Sequence, residues 1–230
     1  MKGLFVTGTD TNIGKTFISC LITNVLREHG VDVGVMKPFA TAYKRYSTTF
    51  GSEDAWRLSR AAKVADPYNL INPYFYQIGT APFLAAAMSG RPTPNLATAV
   101  KKLRRLSTLH EFLVVEGIGG VMVPISRKKT ILDFIKMVGF PVIIVTSPKL
   151  GTINHTLLTF QACLDRRIRV DALIINRKPE RTSKVQSHLP SLLSSLTGIK
   201  RVIEIPRIRS NYALKKIEKL IAGDLLEIKN

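Results

Sequence analysis

Six short runs along this 230-residue chain are apolar and rich in β-branched residues, with at most one polar residue in each: Leu4 to Thr7, Val33 to Lys37, Phe112 to Glu116, Val142 to Thr146, Ala172 to Asn176 and Val202 to Ile205. A strand with one wet face alternates apolar and polar residues, whereas continuous runs belong to strands covered on both faces. Between them, amphipathic patterns predict helices at about 15–29, 53–64, 95–107, 131–138, 154–166, 183–196 and 210–222. Alternation of strand and helix predicts an α/β fold, a doubly wound and mostly parallel sheet with helices on both faces and right-handed crossovers. With 45% hydrophobic residues the chain can build one sizeable core, and a single domain over 1–230 is expected. The proline-rich stretch from Ala65 to Pro94 is the least regular and is expected to loop over one end of the sheet.

No run of 18 apolar residues marks a membrane span, and the N-terminus reads as a strand instead of a secretion signal. A cytoplasmic protein without a membrane partner is the expectation. The two cysteines, Cys20 and Cys163, fall in helical patterns without CxxC or CxxH spacing and read as buried free thiols. The formal net charge of +18 calls for an anionic partner. Its basic residues, among them Lys101-Lys102-Leu103-Arg104-Arg105, Arg127-Lys128-Lys129, Arg166-Arg167-Ile168-Arg169 and Lys215-Lys216, are dispersed and carry no interleaved aromatics to stack bases. Small polyanions are therefore preferred over nucleic acid.

In such sheets ligands gather at the carboxyl ends of the strands, so the residues after each run carry the functional information. Gly8 through Thr16 lies between the first strand and helix and ends Gly14-Lys15-Thr16, the form of a phosphate-binding loop. Backbone N–H groups at a helix start face an anion, Lys15 adds a fixed charge, and the Thr16 hydroxyl can ligate magnesium. Thr9 stands where such loops usually place their first glycine. A metal held with a triphosphate needs a carboxylate from a neighbouring strand end, and Glu116, followed by Gly117-Ile118-Gly119-Gly120, is placed for it. Asp54 in Ser52-Glu53-Asp54-Ala55 reads equally as an acidic first helical turn. Lys37-Pro38 directs a second ammonium over the same strand ends, although a snorkelling lysine also fits that position.

Taken in order, Gly8 to Thr16, Lys37-Pro38, Ser52 to Ala55, Ala81 to Ala86, Val115 to Gly120, Val123-Pro124 and Leu150-Gly151-Thr152-Ile153-Asn154-His155-Thr156-Leu157-Leu158 resemble the successive motifs of dethiobiotin synthetases. The resemblance runs over roughly residues 1–210 and is carried by the combination of motifs more than by the phosphate loop.

The resemblance implies a P-loop nucleotide-hydrolase fold and an ATP- and Mg2+-dependent ligase. Its substrates would be 7,8-diaminopelargonic acid, CO2 and ATP, its product dethiobiotin, with a carbamate and a carbamic-phosphoric anhydride on the way. By similarity Lys37 is the catalytic lysine, with Lys15 assisting, and Thr16, Asp54 and Glu116 are the magnesium ligands. The nucleotide would be held by Asn12, Ile13, Gly14, Lys15, Thr16 and Phe17, by Asp54, and by Glu116, Gly117, Ile118 and Gly119. Asn176, Arg177, Pro206, Arg207 and Ile208 would face its base. Thr11 and Thr41 would contact the substrate, and the helix start at Gly151, Thr152, Ile153 and Asn154 would receive its carboxylate across a homodimer interface.

Asn154 also reads as a simple helix cap, and His155 as a packed or hydrogen-bonded histidine without an acid or base role. The chain departs from the family after Thr41, where Ala42 and the segment Tyr43 to Gly51, bearing Lys44 and Arg45, replace a usual glycine. Two other readings share the fold. A partition-type switch ATPase would carry a further lysine five positions before Lys15, where this chain has Asp10. An amidotransferase ligase would need a glutaminase domain with a reactive cysteine, for which 230 residues leave no room.

Overall fold

A computed structural model describes residues 1–177 and 187–205. Six parallel strands form the central sheet: β1 (Gly3–Gly8), β2 (Val33–Met36), β5 (Phe112–Gly120), β8 (Val142–Thr146), β9 (Val170–Asn176) and β10 (Val202–Ile205). Two small ribbons accompany it, β3 (Phe39–Thr41) with β4 (Tyr74–Tyr76), parallel, and β6 (Pro124–Ser126) with β7 (Lys129–Thr130), antiparallel. The central order is β10-β9-β8-β1-β5-β2. Chain progression therefore reverses at β1, which pairs with β5 on one side and β8 on the other. A crevice opens at such a switch point, and the loop leaving β1 lies at its carboxyl end.

Alternation along the strands sorts their side chains into two cores. Phe5, Val142 and Ile144 face one side, where α5 (Leu96–Leu106), α6 (Ile131–Val138) and α8 (Leu189–Thr197) cover them. Leu4, Val6, Ile143 and Val145 face the other, covered by α1 (Lys15–Glu28) and α2 (Glu53–Ala62). Fully apolar strands follow, because neither face meets water. Phe134 of α6 meets Phe5 and Phe39 edge-on, at ring centroid distances of 6.1 and 5.1 Å. Truncating such a buried ring to alanine costs about 3–5 kcal/mol.

All six sheet strands coincide with the apolar runs, and the described helices lie where the periodicity places them. Three differences have physical causes. β5 continues through Gly120, so Gly117 to Gly120 are strand and not a turn. Glu116 thus sits inside the strand, and a register irregularity opposite Val6 and Gly8 absorbs the extra length. The irregular stretch from Ala65 to Pro94 contains α3 (Tyr68–Ile71), β4 and α4 (Pro82–Met88), elements too short to show periodicity. Helix α7 (Thr152–Asp165) starts two residues before the predicted 154, its N-cap being Gly151 at φ 88°, so Asn154 is not the cap. The predicted helix at 210–222 and the start of the one at 183–196 lie outside the described residues. Cys163 is buried and Cys20 only half-buried; both are free, and burial pushes their thiols up to about 11 and about 12. No helix among the described residues is long and apolar enough to cross a membrane.

At the amino ends of the strands, away from the switch-point crevice, His110 ties three segments together. Its Nδ1 lies 2.9 Å from Asp32 and its Nε2 2.9 Å from Asp66. Both ring nitrogens face carboxylates, and although burial opposes it, these bonds raise the imidazole pKa above its usual value. Stabilisation by a raised group is complete below the ordinary value near 6.5 and is lost as pH rises through the folded value. His110→Gln should therefore lower the melting temperature most at about pH 6 and least at about pH 9. A contribution on the order of 1 kcal/mol would appear as a few degrees at the acid end. Melting curves of both proteins across this range check it, and a deficit that does not change with pH would count against the protonated clamp.

Candidate active site

The phosphate-type loop leaves β1 at Thr9, whose N–H donates to Val145 O at 3.0 Å, and enters α1 at Lys15. Two residues take left-handed backbone, Asn12 at φ 55° and Gly14 at φ 96°. Gly14 is required for a second reason. A Cβ there would lie 2.0 Å from Asn176 Nδ2, which donates to Ile13 O at 2.8 Å. The end of β9 thus pins the loop from behind, a contact between residues 163 positions apart that no local pattern displays. The Asn176 amide expected at a nucleobase has one donor committed to this task. Lys15 is buried and donates to Asp10 O at 2.6 Å. Burial first, and then the Lys37 charge, lower its pKa to about 8.

Lys37 follows β2 and is 3% exposed. Its ammonium lies 2.5 Å from Glu116 Oε1, 2.9 Å from Asp54 and 3.0 Å from Gly117 O. Although burial opposes the charge, Glu116 and then Asp54 hold this lysine above its ordinary value. Asp54, the second residue of α2, is more than a helix-dipole partner: burial opposes its charge, but Lys37 keeps the carboxyl below its usual range. Burial, joined by the Asp54 charge, pushes the Glu116 carboxyl up while Lys37 draws it back. Glu116 Oε1 also accepts from the Thr16 hydroxyl at 2.8 Å. Its Oε2 is fully buried with no hydrogen-bond partner among the described residues. An orphan carboxylate oxygen beside a hydroxyl and a second carboxylate is a hard, all-oxygen donor set of the kind that suits magnesium.

These groups line one open cleft of about 580 Å³. The structure brings to it Thr11, Asn12, Gly14, Lys15, Thr16 and Phe17 from the loop and α1, and Lys37 and Thr41 from the segment after β2. Asp54 of α2 and Glu116, Ile118 and Gly119 of β5 complete it. Ile13 and Gly117 lie behind this lining, in the loop and strand that carry it. Gly151, Thr152, Ile153 and Asn154 are not there; they line a separate, mainly apolar groove of about 780 Å³ with Leu150, Leu157, Leu189 and Leu192. His155 is exposed, not packed. Arg177 pairs with Glu204 across β9 and β10, and Pro206, Arg207 and Ile208 lie outside the described residues.

Several participants escaped the sequence reading. Arg57, one turn after Asp54, lines the cleft. Asn72 is buried and donates to Lys37 O at 2.6 Å, while Tyr68 donates to Asn72 Oδ1 at 2.7 Å and accepts from Gly51 N–H at 2.9 Å. With Lys37 N–H donating to Ile71 O at 2.8 Å, both backbone groups of Lys37 are fixed by the segment around α3. An Asn-Pro pair at 72–73 was the only local signal, and it indicates a turn without saying what the turn holds.

Comparison with known proteins shows what the chain is similar to. The family model described as AAA domain matches residues 2–212. The chain is 44% identical to the ATP-dependent dethiobiotin synthetase BioD of Nitrosopumilus maritimus, over 95% of this chain and 96% of that protein. It is 36% identical to the protein of the same name from Bacillus licheniformis, over 90% and 87%, and 37% identical to that of Anaeromyxobacter sp. strain K, over 90% and 90%. Among solved structures, a ParA family ATPase from Chlorobium tepidum TLS aligns with TM-score 0.52 at 13% identity, covering 98% of this chain and 94% of that one. The MinC:MinD cell division complex of Aquifex aeolicus aligns with TM-score 0.51 at 12% identity, covering 98% and 89%. At that identity the two structures speak for the mostly parallel P-loop ATPase fold alone.

The lowered pKa of Lys15 has a measurable consequence. An anion bound beside it favours the ammonium, so binding takes up a proton once the free protein begins to lose it near pH 8. Affinity for ADP, used as a phosphate-bearing probe and measured by calorimetry, should hold from about pH 6.5 to about pH 7.5, then fall by up to about tenfold per pH unit. Lys15→Gln should bind more weakly and flatten that profile. A wild-type profile flat to about pH 9.5 would show that Lys15 keeps its ordinary pKa.

Proposed function

The chain belongs to the dethiobiotin synthetase family, and from that premise we propose that it closes the cyclic urea of dethiobiotin from 7,8-diaminopelargonic acid, CO2 and ATP, releasing ADP and phosphate. One substrate amine adds to CO2 and loses a proton, giving a carbamate. A carbamate oxygen attacks the γ-phosphorus and displaces ADP, forming a carbamic-phosphoric anhydride. The second amine attacks its carbonyl carbon, loses a proton and expels phosphate. Each stage places negative charge at one centre, so catalysis here is chiefly electrostatic positioning.

The observation that carries the reading is the buried Lys37 ammonium, held between Asp54 and Glu116 beside the phosphate loop at the switch point. The cation is already desolvated beside the phosphate loop; its three N–H groups are engaged by Glu116, Asp54 and Gly117 O, so it meets the carbamate and transferring phosphoryl group by exchanging one of these partners. Lys15 steadies the phosphates, with Asn12 to Phe17 around them. Thr11 and Thr41 hold the diamine. Thr16, Asp54 and Glu116 would hold Mg2+, which supplies Lewis-acid neutralisation of the phosphates when bound. Gly117 to Gly119 let the backbone approach the nucleotide, and Asn176 with Arg177 lies toward its base.

The helix start at Gly151 to Asn154 faces a groove outside the cleft, which supports its use by a second copy of the chain, receiving the substrate carboxylate across a homodimer interface. The N–H groups of its first turn lack intrahelical acceptors and suit a carboxylate. In this reading residues 1–230 form one ligase domain acting in the cytoplasm on small molecules.

Incubation with diaminopelargonate, bicarbonate, Mg2+ and ATP should yield dethiobiotin by mass, with one ADP per product. Lys37→Gln should lower kcat by at least about 10²–10³-fold while nucleotide still binds. Phosphate release without dethiobiotin would overturn the reading, and unchanged turnover in Lys37→Gln would overturn the role of Lys37.

A further inference from the structure

Between the phosphate loop and the start of α7 lies a cluster of threonine hydroxyls that the chemistry above does not use. Thr146, the last residue of β8, is fully buried. Its Oγ1 lies 3.1 Å from the Thr9 hydroxyl and 2.7 Å from the Thr152 hydroxyl, and it accepts from the Thr156 hydroxyl at 3.2 Å. A threonine oxygen has one proton and two lone pairs, so three such partners saturate it. With one acceptor site taken by Thr156, it donates to either Thr9 or Thr152 and accepts from the other. Thr9 begins the phosphate loop, and Thr152 and Thr156 are the first and fifth residues of α7.

Among apolar strand ends such a hub is costly unless complete, since a buried hydroxyl without partners loses its hydration for nothing. Completed, it fixes the first turn of α7 against the end of β1. We infer that Thr146 is a positioning residue, fixing within its own protomer the helix start that receives the carboxylate of the substrate bound at the phosphate loop of a second copy. The inference rests on the reading of Gly151 to Asn154 given above.

The two ends of the hub are not equally dependent on it. The phosphate loop has two further anchors, Thr9 N–H on Val145 O and Asn176 on Ile13 O. The start of α7 has few. Its N-cap, Gly151, makes no side-chain cap bond, and Thr152 N–H donates to Lys149 O at 3.0 Å, inside the same turn. Loss of the hub therefore falls on the helix start and on the diamine, not on the nucleotide.

Thr146→Val removes all three bonds at nearly constant volume; Thr146→Ser keeps them. Where the wild type makes dethiobiotin, Thr146→Val should raise KM for diaminopelargonate about tenfold, a loss of the size hydrogen-bond removal gives. KM for ATP should stay within about twofold, and Thr146→Ser should return both to wild-type values. Thr156→Val, which deletes one of the three bonds, should show a smaller rise of about threefold and guards against a failure of Thr146→Val to fold. No change in either KM, or a parallel rise in both that serine does not reverse, would overturn the inference and leave the assignment of the reaction intact. A wild type that forms no dethiobiotin would instead remove the reading on which it rests.

Discussion

The site depends on one buried cation. Lys37 sits almost fully out of water, and an ammonium there is tolerable only because two carboxylates and a carbonyl surround it. Breaking such a pair by removing one partner typically costs about 3–5 kcal/mol, a large part of the roughly 5–15 kcal/mol by which folded domains are stable. Asp54 and Glu116 therefore keep Lys37 charged, and in the proposed function they would also present oxygen to Mg2+. The sheet order makes this possible. β5 lies between β1 and β2, so Glu116 reaches both the Thr16 hydroxyl after β1 and the ammonium after β2. With the strands in chain order, β5 would flank one of them only.

Carboxylates elsewhere in the chain are tied into structural pairs as well. Asp54 and Glu116 face Lys37, Asp32 and Asp66 clamp His110, and Asp133 closes the capping box of α6 with Thr130. With 34 basic against 16 acidic residues the exposed clusters at Lys101, Arg104 and Arg105, at Arg127 to Lys129, and at Arg166, Arg167 and Arg169 stay in excess, although Asp133 meets Lys129 and Arg166 and Asp171 meets Arg169. A positive surface follows, and it raises the local concentration of a polyanionic substrate without being specific for one.

What the sequence displayed and what it hid divide along physical lines. The sheet strands were legible because the central ones must be apolar on both faces, which leaves a run of mostly Val, Ile and Leu; edge strand β10 is half-buried and admits Glu204. The loop at Gly8 to Thr16 was legible because its residue types are dictated by backbone conformation and charge together. Gly117 to Gly120 misled for the opposite reason: glycine carries no side chain to show a face, and four of five residues after Val115 read as a turn although the backbone remains paired as strand. The supports of the site were invisible. Asn72 under Lys37 and Asn176 behind Gly14 act through bonds across 35 and 163 residues, and a single asparagine has no periodicity to betray it.

The fold itself does not select the chemistry. A ParA family ATPase and a MinC:MinD cell division complex superpose on this fold at 13% and 12% identity. The chemistry of a given chain depends on what approaches the phosphate loop from the neighbouring elements. Here Asp10 stands five residues before Lys15, and its backbone carbonyl receives the Lys15 ammonium. The second cation comes instead from Lys37, fixed to the adjacent strand and buried between carboxylates. A lysine carried by the loop is positioned by whatever orders that loop, as a switch requires. A lysine buried at a strand end, with both its backbone groups bonded to the α3 segment, has no such freedom. That rigidity suits a reaction whose charged intermediates must be met by a cation already in place.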